Sequence, residues 1–187
     1  MAATRAAQQA GRTYHLGFVA RQQRAGYAVL LEELGRLGFL EGRNLSVDPR
    51  GFGLSVEQLE ATAVEVAGTQ PDAIFAGGDA AARAAQRATT SIPIVAIADD
   101  VIRNRLVSSL ARPAGNLTGI SILASELNGK RLELLAEILP GVRRMAALVD
   151  PSTAPAEQLA ALVEAARARC GAVDPSRRNS SGDCSRY

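Results

Sequence analysis

The sequence is poor in aromatic residues and holds one histidine and two cysteines. Phe, Trp and Tyr make up 4% of its 187 residues, with no Trp. Cys170 and Cys184 have no partners at metal-ligand spacing, so zinc is not expected, and we predict neither a metal nor another cofactor. The core has to be built from Ala, Val, Leu and Ile, a composition typical of helices packed on a parallel sheet.

Strong charge and long apolar runs are also missing. The formal net charge is +2, and Lys and Arg are scattered among Asp and Glu, so the sequence gives no reason to expect nucleic acid as a partner. No segment approaches the ~20 consecutive apolar residues of a membrane span. Residues 1–12 are rich in Ala, Gln and Arg without an apolar stretch, so they are not an intact signal peptide. A disordered tail and the remnant of a cleaved signal both fit them.

Short apolar runs alternate with segments of helical period along the chain. The runs predict strands at 15–20, 45–47, 72–76, 94–98, 117–122 and 145–149. Helices are predicted at 24–37, 55–67, 80–88, 101–110, 125–139 and 155–170. Strict alternation implies an α/β fold, a parallel sheet with right-handed crossovers and helices on both faces. In such sheets ligands bind outside the carboxyl ends of the strands.

Common catalytic motifs are missing from the sequence. It has no phosphate loop, no dinucleotide fingerprint and no Gly-x-Ser-x-Gly elbow, and His15 begins a strand, away from the expected ligand side. Asp99 and Asp100 end an apolar strand and could hold Mg²⁺ in a phosphotransfer site. Alternatively, one of them caps the next helix while the other faces solvent or a ligand. No third carboxylate or catalytic lysine accompanies them, so we predict that the protein is not an enzyme.

Two further groups of residues could bind a ligand. Gly77-Gly78-Asp79 forms a turn from strand to helix, where backbone N–H groups could receive an anion and Asp79 could cap the helix. Asn116, Thr118 and Ser121 offer short hydrogen-bonding side chains around one strand. Spacing alone does not separate the ligand role of these residues from a structural one.

Several segments together resemble the ABC-transporter substrate-binding family, whose members have the type 1 periplasmic-binding fold. The resemblance covers about residues 13–170 and is strongest over LVSSLARPAGNLTGIS at 106–121. It is carried further by LGRLGFLEGRNL at 34–45, GGDAA at 77–81, ATTSIPI at 88–94, GKRLELL at 129–135 and LPGVRR at 139–144.

This resemblance implies two α/β lobes that close on a small solute, in some relatives an aromatic amino acid, and present it to a membrane permease. It also implies export of the full-length parent to the periplasm. Matched by position, the implied ligand contacts are Gly78, Asp79, Ala80, Asp99, Asp100, Asn116, Thr118 and Ser121. The loop Arg21–Arg24 departs from the family pattern, because relatives often have small residues there.

The domain organisation implied by the resemblance is a first lobe followed by an incomplete second lobe. We expect a disordered tail at 1–12, an α/β lobe at 13–122, the beginning of a second lobe at 123–170 and a disordered tail at 171–187. Truncation would impair solute binding and leave an apolar surface on Leu132, Leu135 and Val149 for self-association. The alternatives are an Asp-dependent α/β enzyme domain and the effector-binding domain of a regulator.

Overall fold

The fold is described from a computed structural model of the chain. The described residues are 11–109, 115–124 and 126–141, together with 160, 163, 164 and 166. The chain separates into two compact units, Met1–Ile122 and Leu123–Tyr187. The first unit carries the sheet, and the second carries the helix α4, Asn128–Ile138.

Five parallel strands form the sheet of the first unit. They are β1 Tyr14–Ala20, β2 Leu45–Val47, β3 Ala73–Gly77, β4 Ile94–Ala98 and β5 Leu117–Ser121. Their order is β2-β1-β3-β4-β5, and each neighbouring pair is parallel. The helices of this unit are α1 Ala28–Arg36, α2 Leu59–Gly68 and α3 Asp79–Ala88. The predicted α/β fold with a parallel sheet is therefore confirmed.

Helices cover the two faces of this sheet unequally. Helices α2 and α3 pack on one face over the larger apolar core, where α3 contributes four buried alanines and therefore lies close to the strands. On the other face, α1 and a 3-10 helix at Arg24–Tyr27 cover β2, β1 and β3. The helical spacing of Tyr27, Leu30, Leu31, Leu34 and Leu37 in the sequence predicts one apolar stripe. The first four of these residues pack around Phe18 and Phe75, whereas Leu37 is 49% exposed.

The α1 side of β4 and β5 is open in the described part of the chain. Val95 is paired in register with Phe75 and with Thr118, and Ile97 with Ile120, so these side chains share the face that α1 covers farther along the sheet. Val95 is 42% exposed, Ile97 37% and Ile120 62%. A strip of β-branched side chains therefore meets solvent at this end of the sheet.

The helix predicted at 101–110 is wrong for the residues that can be compared, 101–109, which form turns instead. The carboxylate of Asp100 accepts hydrogen bonds from the backbone N–H groups of Ile102 and Arg103, at 2.9 and 3.0 Å. Arg105 then adopts a φ of +54°, which a right-handed helix does not allow. Local side-chain bonds of this kind compete with helix formation.

Other predicted elements differ at their ends or lie outside the described residues. Helix α2 begins at Leu59 rather than at Ser55, although the Ser55 N–H donates to the Gln58 side chain as a capping box requires. The strand predicted at 145–149 is outside the described residues. So is most of the helix predicted at 155–170, of which 160, 163, 164 and 166 are helical.

Candidate functional site

Three neighbouring strands of the first unit end beside one another, and polar groups follow each end. Strand β3 ends at Gly77, β4 at Ala98 and β5 at Ser121. Gly78 has a φ of +106°, and its N–H donates to the Ile97 carbonyl at 2.8 Å. A residue with a β-carbon is strained in that conformation, so glycine is required where the chain turns from β3 into α3.

Asp79, the first residue of α3, holds the loop after β4. One of its carboxylate oxygens accepts the Asp99 N–H at 3.2 Å, and the other accepts the Asn104 side-chain amide at 2.6 Å. Sequence reasoning missed Asn104, because it placed this residue inside a predicted helix. The sequence signal that could have found it is Asp100, whose side chain closes a turn after β4 and so interrupts that helix before Asn104.

Ser121 ties the end of β5 to the same loop. Its hydroxyl oxygen accepts the Val101 N–H at 3.0 Å, and Asp100 closes the next turn with the two bonds to Ile102 and Arg103. The structure therefore brings Gly78, Asp79, Asp99, Asp100 and Ser121 to one edge of the sheet. We call these five residues, with Ala80, the carboxyl-end group.

The amino end of α3 faces this edge without a side-chain cap. Its N-cap residue is Gly78, which has no side chain to accept from the first N–H groups, and Ala80 in the first turn is exposed. Uncapped N–H groups and the helix dipole favour a negative charge at this position. Asp79 is the first residue of α3, and Asp99 and Asp100 follow the neighbouring strand β4, so the same edge of the sheet also carries acidic residues that suit a cation.

Tyr27 borders the carboxyl-end group from the α1 side. A β-carbon on Gly77 would overlap its hydroxyl, which shows how closely Tyr27 lies against the end of β3. Its ring packs on Phe75 at 5.3 Å and Phe18 at 5.6 Å between centroids, and burial raises the pKa of the phenol. Sequence reasoning placed Tyr27 only in the apolar stripe of a helix and missed its place beside the site.

The loop after β1 is filled by its own side chains. The Gln22 side chain packs over Gly26, and that of Gln23 packs over Gly53. The Arg24 guanidinium lies over the Phe52 ring at 5.6 Å and pairs with Glu41. Bulky residues at this departure from the family pattern therefore have intramolecular partners.

Asn116 and Thr118 are not brought together with the carboxyl-end group. Asn116 precedes β5 at the amino end of the sheet, where its amide donates to the carbonyls of Thr89 at 3.0 Å and Ile92 at 2.7 Å. Thr118 lies midway along β5 on the open face, in register with Val95. The structure thus gives Asn116 a role in joining the loop before β4 to β5.

A cleft that is separate from the carboxyl-end group lies on the α2 side of the sheet near β2. It has a volume of about 310 Å³, and its lining includes His15, Ser46, Asp48, Arg50 and Thr69. The Arg50 guanidinium donates to both oxygens of Asp48, at 3.0 and 2.6 Å, and this hydrogen bonding lowers the pKa of Asp48. His15 is at the amino end of β1, far along the strand from the carboxyl-end group.

The described residues hold neither a cluster of metal ligands nor a membrane-spanning helix. Among them, no three His, Cys, Asp or Glu side chains come together as a metal site would need. None of their helices has the length and apolar content to cross a membrane.

Comparison with known proteins identifies the family of the chain. Residues 22–172 match the family described as ABC transporter substrate binding protein. The chain belongs to this family. A relative of this chain among the curated proteins is the tyrosine-binding protein of Clostridioides difficile (strain R20291). It is 29% identical over 128 residues, which are 68% of this chain and 36% of the relative.

Solved structures also resemble this chain. A conserved domain protein from Vibrio cholerae is 28% identical, with a TM-score of 0.71, over 86% of this chain and 55% of its own. A Streptococcus pneumoniae ABC domain in complex with L-Trp has a TM-score of 0.64 at 19% identity, over 85% of this chain and 54% of its own, and so shows the fold alone. The chain spans about a third of the curated relative and about half of each structure.

Proposed function

We propose that the protein is the solute-binding component of an ABC-type transporter and that the carboxyl-end group binds an amino acid. The observation that carries this proposal is the amino end of α3, which has no side-chain cap and lies at the carboxyl edge of the parallel sheet, where Asp99 and Asp100 also follow a strand. Family membership supports the solute-binding role, and the relative named as a tyrosine-binding protein supports the ligand class.

A zwitterionic amino acid fits the charges of this edge. Its carboxylate would accept from the first N–H groups of α3, where the helix dipole stabilises an anion. Its ammonium group would lie near Asp99 or Asp100, because charge-assisted hydrogen bonds to carboxylates are among the stronger ones in proteins. Gly78 keeps the approach to α3 open, and Ala80 presents no more than a methyl group there.

Tyr27 makes an amino acid with an aromatic side chain the preferred solute. Its phenol lies against Gly77, at the border of the carboxyl-end group, and its ring belongs to the aromatic cluster with Phe18, Phe52 and Phe75. Aromatic rings attract one another beyond the area that they bury. An aromatic solute would therefore gain from contact with the Tyr27 ring, which the buried Phe18 and Phe75 hold in place, whereas a small aliphatic one would not.

The partner and the compartment follow from the same proposal. A solute-binding component of this family hands its ligand to a membrane permease, so we infer an ABC permease as partner and an exported, periplasmic location. Because the chain spans about half of the structures that it matches, these statements concern the whole transport protein.

Substitution of Ala80 tests the proposed site. Ala80→Glu adds a carboxylate to the exposed first turn of α3, where it favours the helix but repels a solute carboxylate. Ala80→Gln adds nearly the same volume without charge and is the matched control. We expect isothermal titration with tyrosine, tryptophan, leucine and acetate to show binding of the aromatic amino acids, kept in the Gln variant and weakened at least about tenfold in the Glu variant.

Two results would contradict this assignment. Equal binding by the Ala80→Glu and Ala80→Gln variants would place the solute carboxylate elsewhere. No heat and no thermal stabilisation of the wild-type chain with any amino acid, in a sample that unfolds cooperatively, would refute amino-acid binding by this chain, because a ligand of the native state has to raise its melting temperature.

A further inference from the structure

The loop that follows β4, residues 99–107, is held on the first unit at several points. Its apolar side chains Val101, Leu106 and Val107 are buried, and the Leu106 carbonyl accepts the side-chain amide of Gln86 in α3 at 2.7 Å. Burial of three apolar side chains favours the folded loop more than one hydrogen bond does. The loop should therefore stay folded when a single polar contact within it is changed.

Asp79, the first residue of α3, holds the polar part of this loop at two points. One of its carboxylate oxygens accepts the Asp99 N–H at 3.2 Å, where the chain leaves β4, and the other accepts the Asn104 side-chain amide at 2.6 Å. Asp100 lies between these two points in the chain. The backbone that carries Asp99 and Asp100 is therefore fixed from α3, and Asn104 takes part in fixing it.

We propose that Asp79 and Asn104, which we call the supporting pair, are positioning residues of the solute site. Their hydrogen bond holds Asp99 and Asp100 where these residues receive the ammonium group of an amino acid, and neither member of the pair touches the solute. This inference rests on the proposed function. It departs from the family resemblance, which implied a ligand contact for Asp79 and none for Asn104.

The bonds of Asp79 favour this supporting role over a direct contact. Both of its oxygens already accept a hydrogen bond from the chain, and both members of the supporting pair are partly buried. An ionised acceptor makes the shorter and stronger kind of hydrogen bond, which suits a residue that fixes a loop. Groups held in place by such bonds bind a ligand better, because less order has to be imposed when the ligand arrives.

Exchanging the two side chains separates hydrogen bonding from direct charge contact. Asn104→Asp places two carboxylates against each other, and their repulsion should open the supporting pair. D79N/N104D returns one amide and one carboxylate with their places exchanged, and the amide oxygen at position 79 can still accept the Asp99 N–H. In isothermal titration with tyrosine, we expect Asn104→Asp to bind at least about tenfold more weakly than the wild type, and D79N/N104D to return to within about threefold of it.

Two further variants control for charge and for folding. Ile102→Glu adds a negative charge to the same loop at a side chain that is 45% exposed, and it leaves the supporting pair intact, so its affinity should stay within about twofold of the wild type. Asn104→Ala removes the amide donor without adding charge and should weaken binding at least about threefold. Thermal unfolding of every variant shows whether the titrated protein is folded.

Failure of the exchange would overturn the proposal. If folded D79N/N104D binds as weakly as Asn104→Asp, Asp79 needs its own charge at that place, as a direct contact does. Unchanged affinity in both Asn104→Asp and Asn104→Ala would overturn the proposal as well.

The wild-type titration decides the proposed function separately. No binding of tyrosine or any other amino acid would refute the solute site and, with it, the positioning role. Binding that Ala80→Glu weakens and Asn104→Asp leaves unchanged would keep the solute site and overturn the positioning role alone.

A ligand without the ammonium group shows whether the supporting pair acts through the acidic residues. Hydroxyphenylpropionate is tyrosine without that group. Asn104→Asp should lower the affinity for tyrosine and leave the affinity for hydroxyphenylpropionate within about twofold of its wild-type value. An equal loss for both ligands would indicate a general distortion of the site and would contradict the proposal.

Hydrogen exchange of the Asp99 amide, measured by NMR, tests the supporting pair without any solute. This N–H donates to Asp79, so its exchange should be faster in Asn104→Asp than in the wild type and should slow again in D79N/N104D. Equal exchange rates in all three proteins would refute the supporting pair.

Discussion

Asn116 is implied as a ligand contact by the family resemblance, but its side chain bonds to backbone carbonyls in the structure. Substituting it therefore separates a role in solute binding from a role in stability. Its amide donates two hydrogen bonds, to the carbonyls of Thr89 and Ile92, and so links the loop before β4 to the start of β5. Asn116→Ala removes both donors. At roughly 0.5–1.5 kcal/mol for each bond, the free energy of unfolding should fall by about 1–3 kcal/mol.

Urea unfolding followed by far-ultraviolet circular dichroism measures this loss. With a slope of about 1–3 kcal/mol per molar urea, the midpoint should fall by roughly 0.3–3 M, and by about 1 M at the middle of both ranges. Asn116→Asp should be worse near neutral pH, because a carboxylate would then face two carbonyl oxygens. Thr118→Val, an exposed substitution on the same strand, should stay within about 0.5 kcal/mol of the wild type.

Solute binding separates the two roles of Asn116. If the amide only supports the fold, the affinity of the folded Asn116→Ala variant for an amino acid should equal that of the wild type. The reasoning is refuted if this variant keeps its urea midpoint and loses solute binding, since Asn116 would then contact the ligand as the family resemblance implied.

Three further substitutions have defined outcomes. Gly119→Ala should cost at least about 3 kcal/mol in urea unfolding, since its β-carbon would overlap a backbone carbonyl of β4, whereas Gly68→Ala, with open space around it, should stabilise by about 0.5 kcal/mol. Leu59→Ala, at a position 2% exposed, should cost about 2–5 kcal/mol, and no loss there would contradict the described core. Asp48 has a folded pKa lowered by Arg50, so its contribution to stability is present above the unfolded value of about 3.9 and is lost as the pH falls through the folded pKa. Asp48→Asn should therefore lose less stability than the wild type between pH 5 and about pH 3, and equal losses would count against the ion pair.

Much of the sheet could be predicted from local pattern. Strands β2 and β4 have the predicted bounds, because short apolar runs there end at Asp, Pro or Gly, residues that interrupt a strand. The stretch 101–109 could not be predicted in this way. Its apolar residues suggested a helix, but the side chains of Asp100 and Asn104 bond locally or to Asp79, and only the folded chain shows those bonds.

The structure brings together the candidate residues that follow strand ends, whereas Asn116 and Thr118, which precede the end of β5, lie apart from them. Gly78, Asp79, Asp99 and Asp100 all follow strands of a parallel sheet, so topology alone brings them together. Asn116 is close to Ser121 in sequence, yet five residues of strand separate their α-carbons by about 16 Å. Sequence proximity along a strand thus predicts spatial proximity poorly.

The aromatic cluster around Phe18 has a spectroscopic consequence. The chain has no Trp, and its four Phe residues and two of its three Tyr residues, Tyr14 and Tyr27, belong to the first unit. Near-ultraviolet circular dichroism, which reports aromatic rings held in fixed surroundings, should therefore follow the tertiary packing of that unit. Far-ultraviolet signal also includes α4 of the second unit. Recording both in one denaturation would show whether the two units lose their structure together or one after the other.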